Sequence, residues 1–420
     1  MKKVLIITYY WPPSGGGGVQ RWLKFSKYLP EFGWEPIIFT PENPDFDIQD
    51  PTLLKEINPE PEVLKLPIWE PYKVFEKISG KKRPSQGLIQ SKKKKSLFTE
   101  LAVWIRGNFL IPDPRKFWVK PSVKFLKDFI KDNGIETVVT TGPPQSMHLI
   151  GLGLKKKLNI KWIADFRDPW SRWDMLDNFK LSGWARGRHK NLELKVLKNA
   201  DQVITVSNTW ASEFKEIYSR EYQVITNGFD EEDFQYVHSK GRGEKIIVSH
   251  FGLINNFRNP VIFWNALKEL SSKKDIKVRL YGTIDKDIQD FVIQDPILKE
   301  IIEFKPPVSH EEVIKAYSES DILLLLLNQS DNAKGHIPGK LFEYLASQRP
   351  IVALGPENGD AASIIDSCKA GKVINWKDQK GLNQILEDLI SKSGQEIDLQ
   401  KVKDYSRKNL TKQLVDKVLS

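Results

Sequence analysis

A chain of 420 residues exceeds what one compact core usually holds and fits about two domains of roughly 200 residues each. Its 40% hydrophobic and 11% aromatic content excludes a wholly disordered protein, and its single cysteine, Cys368, excludes an internal disulfide. The net charge of +10 is local: residues 73–131 carry sixteen Lys and Arg against four Asp and Glu, so the rest of the chain is close to neutral.

At the start, Lys2 and Lys3 precede an apolar stretch, but polar and Pro-rich sequence follows too soon for a signal-peptide core or a membrane span. A cytoplasmic protein is therefore expected. Residues 4–8 read as a strand, and Tyr9-Tyr10-Trp11-Pro12-Pro13-Ser14-Gly15-Gly16-Gly17-Gly18 leads into a helix over 19–32 and a strand over 34–40. This is a βαβ unit with a glycine loop at its first turn. The basic segment then interleaves Lys92, Lys93, Lys94 and Lys95 with Leu97, Phe98, Leu101, Trp104, Ile105 and Phe109, followed by Phe117, Trp118, Phe125 and Phe129. Cations beside aromatic and aliphatic side chains suit the headgroup level of an anionic leaflet, so peripheral contact with an anionic membrane through residues 73–131 is expected. A solvated basic helix face, or a disordered loop over 81–96, is the plainer alternative. No nucleic-acid partner is expected, because no recognition motif accompanies the charge.

Strands over 136–140, 161–165, 202–206 and 222–226 alternate with helices over 145–158, 188–199 and 209–219, the spacing of a doubly wound, mostly parallel sheet. The polar stretch 230–244 resembles a linker. A second series follows, with strands over 245–250, 276–281, 301–304, 322–327, 350–354 and 372–374, and helices over 260–271, 285–295, 310–318 and 381–392. Ser309 with Glu312 three residues later predicts a capping box for the helix over 310–318. A short helix with Lys340 and Glu343 at its start lies between the strands 322–327 and 350–354. The fold class is thus α/β, with domains over 1–235 and 236–398 and a C-terminal helix within 399–420 that packs on either domain, with a return to the N-terminal one expected.

Several residues suit a phosphate- or sugar-binding site. The glycines 15–18 permit positive φ and a close ligand approach, yet the loop is neither Gly-x-Gly-x-x-Gly nor a P-loop. The loop after strand 322–327 opens at the strand's carboxyl end, where a helix N-terminus offers backbone N–H groups to an anion. There Glu343 is able to accept two hydrogen bonds from a ribose diol, and Lys340 lies within reach of a phosphate. Arg258, in the loop after the strand ending His250-Phe251-Gly252, is placed to neutralise a diphosphate. Asp168, in Asp165-Phe166-Arg167-Asp168-Pro169-Trp170, is placed to touch a sugar, with Trp170 and Trp173 nearby for stacking; Asp165 and Arg167 are candidates for a structural ion pair. The six histidines show no metal-ligand spacing, so catalysis without a metal is expected.

Over nearly its whole length the chain resembles the retaining glycosyltransferases of family 4, which have the GT-B fold. The first strand with Pro-Pro and the glycine loop is similar to that family's opening motif. Val206-Ser207 and Val224-Ile225-Thr226-Asn227-Gly228-Phe229-Asp230 resemble its Val-Ser and Ile-Pro-Asn-Gly-Val-Asp segments, Phe251-Gly252 with Arg258 its phosphate loop, and Phe342-Glu343-Tyr344-Leu345-Ala346 with Pro350-Ile351-Val352 its donor helix. In the Glu-x7-Glu motif Glu343 matches the second Glu, while Gly335 stands at the first.

The resemblance implies two Rossmann-like domains facing across a cleft, an N-terminal one for the acceptor and a C-terminal one for the nucleotide sugar. It implies a donor site of Gly16, Gly17, Gly18, Arg258, His336, Gly339, Lys340, Leu341 and Glu343, an acceptor side of Trp11, Asp168 and Trp170, and catalysis by Asp168, Arg258 and Lys340. The implied substrate is a nucleotide-diphosphate sugar, UDP rather than GDP, with no cofactor, and the sugar goes with retention to a glycan or lipid-linked acceptor. The implied setting is bacterial cell-surface polysaccharide synthesis, such as lipopolysaccharide, on the cytoplasmic face of the inner membrane. Two other readings remain open at this point: a nucleotide-sugar epimerase of the same fold, and a non-catalytic nucleotide-sugar or glycan-binding protein.

Overall fold

A computed structural model describes residues 1–46, 48–57, 61–71, 97–235, 243, 245–391 and 396–420. Residues 236–242 and 244 of the expected linker 230–244, and the basic stretch 73–96 including the lysines 92–95, lie outside these residues. The chain divides into two compact units, Met1–Thr226 with Thr411–Ser420, and Asn227–Leu410.

The first unit is built on a seven-stranded sheet in the order β3-β2-β1-β4-β5-β6-β7, with β1 Lys2–Ile7, β2 Trp34–Pro41, β3 Glu62–Leu66, β4 Thr137–Gly142, β5 Lys161–Phe166, β6 Gln202–Thr205 and β7 Gln223–Val224. Every pairing is parallel. Val4, Leu5, Ile6 and Ile7 are all fully buried, as a strand covered on both faces requires, which is why β1 reads as an unbroken apolar run. The edge strand β3 has no counterpart among the expected elements, because Glu62 and Lys65 interrupt its apolar pattern and only one neighbour pairs with it. Two helices, Leu97–Phe109 and Lys116–Asp132, occupy the described part of the basic segment. Trp118 of the second lies flat on Phe39 of β2, 4.8 Å between ring centres. The helix Ser146–Lys155 comes close to β5 at Gly151, where any Cβ would overlap the Trp162 indole.

The second unit is a six-stranded sheet, β10-β9-β8-β11-β12-β13, with β8 Ile246–Phe251, β9 Ile276–Tyr281, β10 Ile302–Lys305, β11 Ile322–Leu326, β12 Ile351–Leu354 and β13 Gly371–Ile374, again parallel throughout. Central β11 is buried along its length, and its residues alternate between two cores: Ile322, Leu324 and Leu326 pack with Phe263 and Trp264, Leu323 and Leu325 with Tyr317 and Phe342. The capping box of Ser309 and Glu312 is formed in both directions. The expected final helix is instead three pieces, Leu399–Lys403, Arg407–Leu414 and a π-turn over Val415–Leu419. The break has a cause: Tyr405 and Arg407 exchange backbone hydrogen bonds with Phe229 (3.2 and 2.7 Å), which a continuous helix would forbid. Residues 411–420 belong to the first unit, where Lys161 Nζ donates to the carbonyls of Leu419 and Ser420. Among the described residues no helix is long and apolar enough to cross a membrane.

Candidate active site

In the second unit, chemistry gathers at the carboxyl ends of β8 and β11. β8 ends at Phe251, and Gly252 follows with φ +132°, a conformation that suits glycine. The turn needs a glycine for a second reason: the Lys340 ammonium sits where a Cβ would be, donating to the Phe251 carbonyl. Burial lowers the Lys340 pKa to about 8; nearby Arg258 acts in the same direction and Glu343 opposes it. Arg258 is held by Asn328, just beyond β11, whose Oδ1 accepts from Nε (2.8 Å) and from a second guanidinium nitrogen. Burial lowers the Arg258 pKa as well.

Two imidazoles complete the polar cluster. His250 is buried and drawn down to about 3 by burial and then by Lys340, so it is neutral. Its Nδ1 lies 2.9 Å from the Leu324 carbonyl, which only accepts, so Nδ1 carries the proton and the unpartnered Nε2 presents a lone pair. Burial, then Arg258 and Lys340, bring His336 to about 4, and its Nδ1 has no partner among the described residues.

Glu343 accepts a 2.7 Å hydrogen bond from the Tyr317 hydroxyl. Tyr317 is buried, and burial followed by the Glu343 charge raises its pKa well above the ordinary value, so it remains a donor at any working pH. Its ring is fixed edge-on to Phe251 (4.6 Å) and Tyr344 (5.3 Å), and Tyr344 Oη accepts from the Phe251 amide (3.2 Å). Arg258, His336, Lys340 and Glu343, separated by up to 85 residues, are thus brought near one another.

Two details differ. The helix Lys340–Ala346 has seven residues, and the amides of Leu341 and Phe342 turn back to Pro338 and Gly339 (3.0 and 3.1 Å), so those two are not offered to a ligand. The Leu341 side chain is fully buried in the core and faces no ligand, whereas Gly339 is exposed. Asn328, Tyr317 and the acceptor nitrogen of His250 were not expected. The only sequence signal for Asn328 is its place as the first polar residue after a buried strand, and Tyr317 has none.

In the first unit the glycine loop follows β1. Gly16 has φ +83° and, with Gly17, is exposed; the helix Gly17–Tyr28 begins without a side-chain cap. At Gly18 a Cβ would come within 3.1 Å of Arg167 Nη1 and 3.2 Å of Tyr10 Cδ2. Arg167 spends its donors on the carbonyls of Gly18, Gly142 and Pro143, bracing the loop against the end of β4. The expected Asp165–Arg167 pair is therefore replaced: Asp165 binds Arg21 at 3.0 Å and accepts from Trp22 Nε1 (2.7 Å) and Thr141 (2.9 Å), all buried.

Asp168 lies two residues past β5, half-buried, and burial raises its pKa against the pull of Arg167. Trp170 is 2% exposed and donates to His189 Nδ1 (3.0 Å), and Trp11 is also 2% exposed. Core packing closes both indole faces to a stacked sugar; half-buried Trp173 stays beside the loop. A groove of about 630 Å³ in the same unit is lined by Ser171, Arg172, Leu176, Arg186, His189 and Lys190 among others, and Asp168 is not part of its lining. Among the described residues no group of three or more His, Cys, Asp or Glu is arranged to hold a metal ion.

No curated protein sequence matches the chain. Among solved structures it is similar to sucrose-phosphate synthase from Thermosynechococcus elongatus, 13% identical with a TM-score of 0.65, covering 99% of this chain and 98% of that one. HepE of Anabaena in complex with UDP and glucose is 14% identical with a TM-score of 0.62 and full coverage of both chains. The lipopolysaccharide outer core galactosyltransferase WaaB, in its apo form, is 12% identical with a TM-score of 0.60, covering 100% of this chain and 99% of that one. At these identities the likeness is one of fold, the GT-B arrangement of two parallel-sheet Rossmann-like domains. The model of the group 1 glycosyl transferases matches residues 245–392. That of Glycosyltransferase Family 4 matches residues 15–233, more than half of the chain, and the protein accordingly belongs to that family of glycosyltransferases.

Proposed function

We propose that the second unit binds a nucleotide-diphosphate sugar and that the enzyme transfers the sugar, with retention and without a metal, to a glycan or lipid-linked acceptor presented by the first unit. The observation that carries this reading is the half-buried cation pair Arg258 and Lys340, near a carboxylate held in place by a tyrosine. Two partly desolvated cations with no carboxylate between them suit a diphosphate, and Glu343 suits a ribose diol. As the bond from the anomeric carbon to the β-phosphate oxygen breaks, negative charge grows on that phosphate. Lys340 and Arg258 stabilise it, and losing one of them costs about two to three orders of magnitude in rate. The neutral His250 and His336 add hydrogen-bonding edges without adding charge, and Asp168 orients the acceptor hydroxyl. Structural neighbours at 12–14% identity include a UDP complex and a lipopolysaccharide galactosyltransferase, which favours UDP as donor nucleotide and a cell-surface glycan as product.

The test is thermal stability with UDP, GDP, ADP, CMP and dTDP, followed by NMR of the product's anomeric configuration. At about 100 times its dissociation constant the right nucleotide adds about 2.7 kcal/mol. A selective shift that disappears in Glu343→Ala supports the donor site, and a shift with none of the five removes it. A product of inverted configuration would overturn retention alone.

A further inference from the structure

Several exposed apolar side chains of the first unit are linked into a patch drawn from distant parts of the chain. On the helix Leu97–Phe109, Leu101, Trp104, Ile105 and Phe109 recur at helical spacing and remain between 38% and 56% exposed. The C-terminal turn of that helix is packed on one flank: a Cβ at Gly107 would meet Phe179 at 2.5 Å, and buried Asn108 accepts from the Ser182 amide at 2.7 Å. Trp104 sits edge-on to Phe109, 5.7 Å between ring centres. Lys116 donates to the Phe109 carbonyl (2.7 Å) and lies 5.3 Å from the Phe117 ring, which meets Trp69 at 4.9 Å. Arg188 is near enough to help lower the Lys116 pKa, after burial, and itself lies over Trp184 at 5.8 Å. Trp69, Phe117 and Trp184 are 56%, 43% and 62% exposed. An aromatic patch of this kind on a folded unit marks an interaction site.

Charge decides what it meets. Lys116 and Arg188 repel one another within the patch, and Lys120 is exposed beside them, while Glu100 is already paired with Lys180 at 3.1 Å. A second copy of the chain would set like charges face to face. The preceding residues 73–96, with nine Lys and Arg against one Glu, add positive charge and cannot neutralise it. We propose that this surface docks the first unit on an anionic lipid bilayer, with Trp69, Trp104, Phe109, Phe117 and Trp184 entering the headgroup layer and Lys116, Lys120 and Arg188 meeting lipid phosphates. Tryptophans, with an apolar body and a polar N–H edge, beside phenylalanines and flanked by cations, are suited to that depth. The inference stands apart from the donor site and does not depend on it.

The experiment is co-sedimentation of the full chain with vesicles of phosphatidylcholine alone and of phosphatidylcholine with about 30% phosphatidylglycerol, an anionic fraction sufficient for a surface potential. Wild type partitions onto the anionic vesicles and poorly onto the neutral ones. Trp104→Ser with Phe109→Ser and Trp184→Ser lowers the partition coefficient at least about tenfold. Lys116→Gln with Arg188→Gln lowers it about 25-fold, fivefold for each cation. The charge variant keeps every apolar side chain, so it tests the surface even if the aromatic variant fails to fold. Equal partition of wild type onto both vesicles would overturn the proposal. So would wild-type binding by both variants when Lys92, Lys93, Lys94 and Lys95 changed to Gln abolishes it, or a lipid-free dimer that the aromatic variant dissociates.

Discussion

Lys340 gives the site its sharpest dependence on pH, because its environment asks two things of one ammonium group. Without a ligand, burial and Arg258 favour the neutral amine and bring its pKa to about 8. With a diphosphate in place the charged form is favoured and the pKa rises. Binding above pH 8 must therefore take up a proton, while below it the proton is already there. The dissociation constant for UDP should be flat from pH 7 to just below 8 and then rise by up to about tenfold per unit. Lys340→Arg, which stays charged, should remove that slope; titration calorimetry in two buffers of different ionisation enthalpy reads the proton directly. Tyr317 invites a separate test. Removing its hydroxyl in Tyr317→Phe costs Glu343 its fixed donor (2.7 Å), worth about 1.5–3 kcal/mol for a bond to a charged group. UDP affinity should fall about tenfold, with discrimination between UDP and its 2′-deoxy analogue shrinking towards one. A merely structural tyrosine would lower the melting temperature and leave that ratio alone. Glu343 and Lys340 were legible in the sequence because they open a helix after an apolar run. Tyr317 was not, because its partner lies 26 residues away and only the tertiary fold joins them.

At the scale of elements, the strands that were easiest to read are those buried on both faces, such as β11, whose apolar run leaves no ambiguity of period. The edge strand β3 was missed for the opposite reason, and the C-terminal helix was read as one because nothing local in Tyr405-Ser406-Arg407 announces its pairing with Phe229. The strand-end glycine after β8 shows how an element's terminus serves the site. Gly252→Ala meets two penalties at once, the φ of +132° and overlap with the Lys340 ammonium. The backbone cost is about 1–3 kcal/mol. The larger consequence is functional, since the ammonium is displaced from the Phe251 carbonyl. UDP binding by calorimetry should weaken by more than the drop in melting temperature accounts for, whereas Ser309→Ala, which removes only the capping box, should cost about 1 kcal/mol of stability and leave UDP affinity unchanged.

For the whole molecule, each unit has its own cores and its own most vulnerable group. The first buries Arg21 against Asp165, both side chains fully inaccessible, with Trp22 and Thr141 completing the carboxylate's hydrogen bonds. The second half-buries Arg258 and Lys340 and, among the described residues, pairs neither with a carboxylate, the arrangement a bound anion would relieve. Heating should therefore resolve two transitions that respond to different changes. Asp165→Asn leaves Arg21 an uncompensated buried charge, a loss of about 3–5 kcal/mol that should lower the first unit's transition by roughly 10 °C and leave the other in place. Saturating UDP should do the reverse, raising the second unit's transition by about 5–10 °C without moving the first, and the rise should vanish in Lys340→Ala. The outcome that would break this account is a UDP-dependent shift of the transition that Asp165→Asn lowers, since the nucleotide would then be held by the unit of the glycine loop, and Arg258, Lys340 and Glu343 would have to be read as structural.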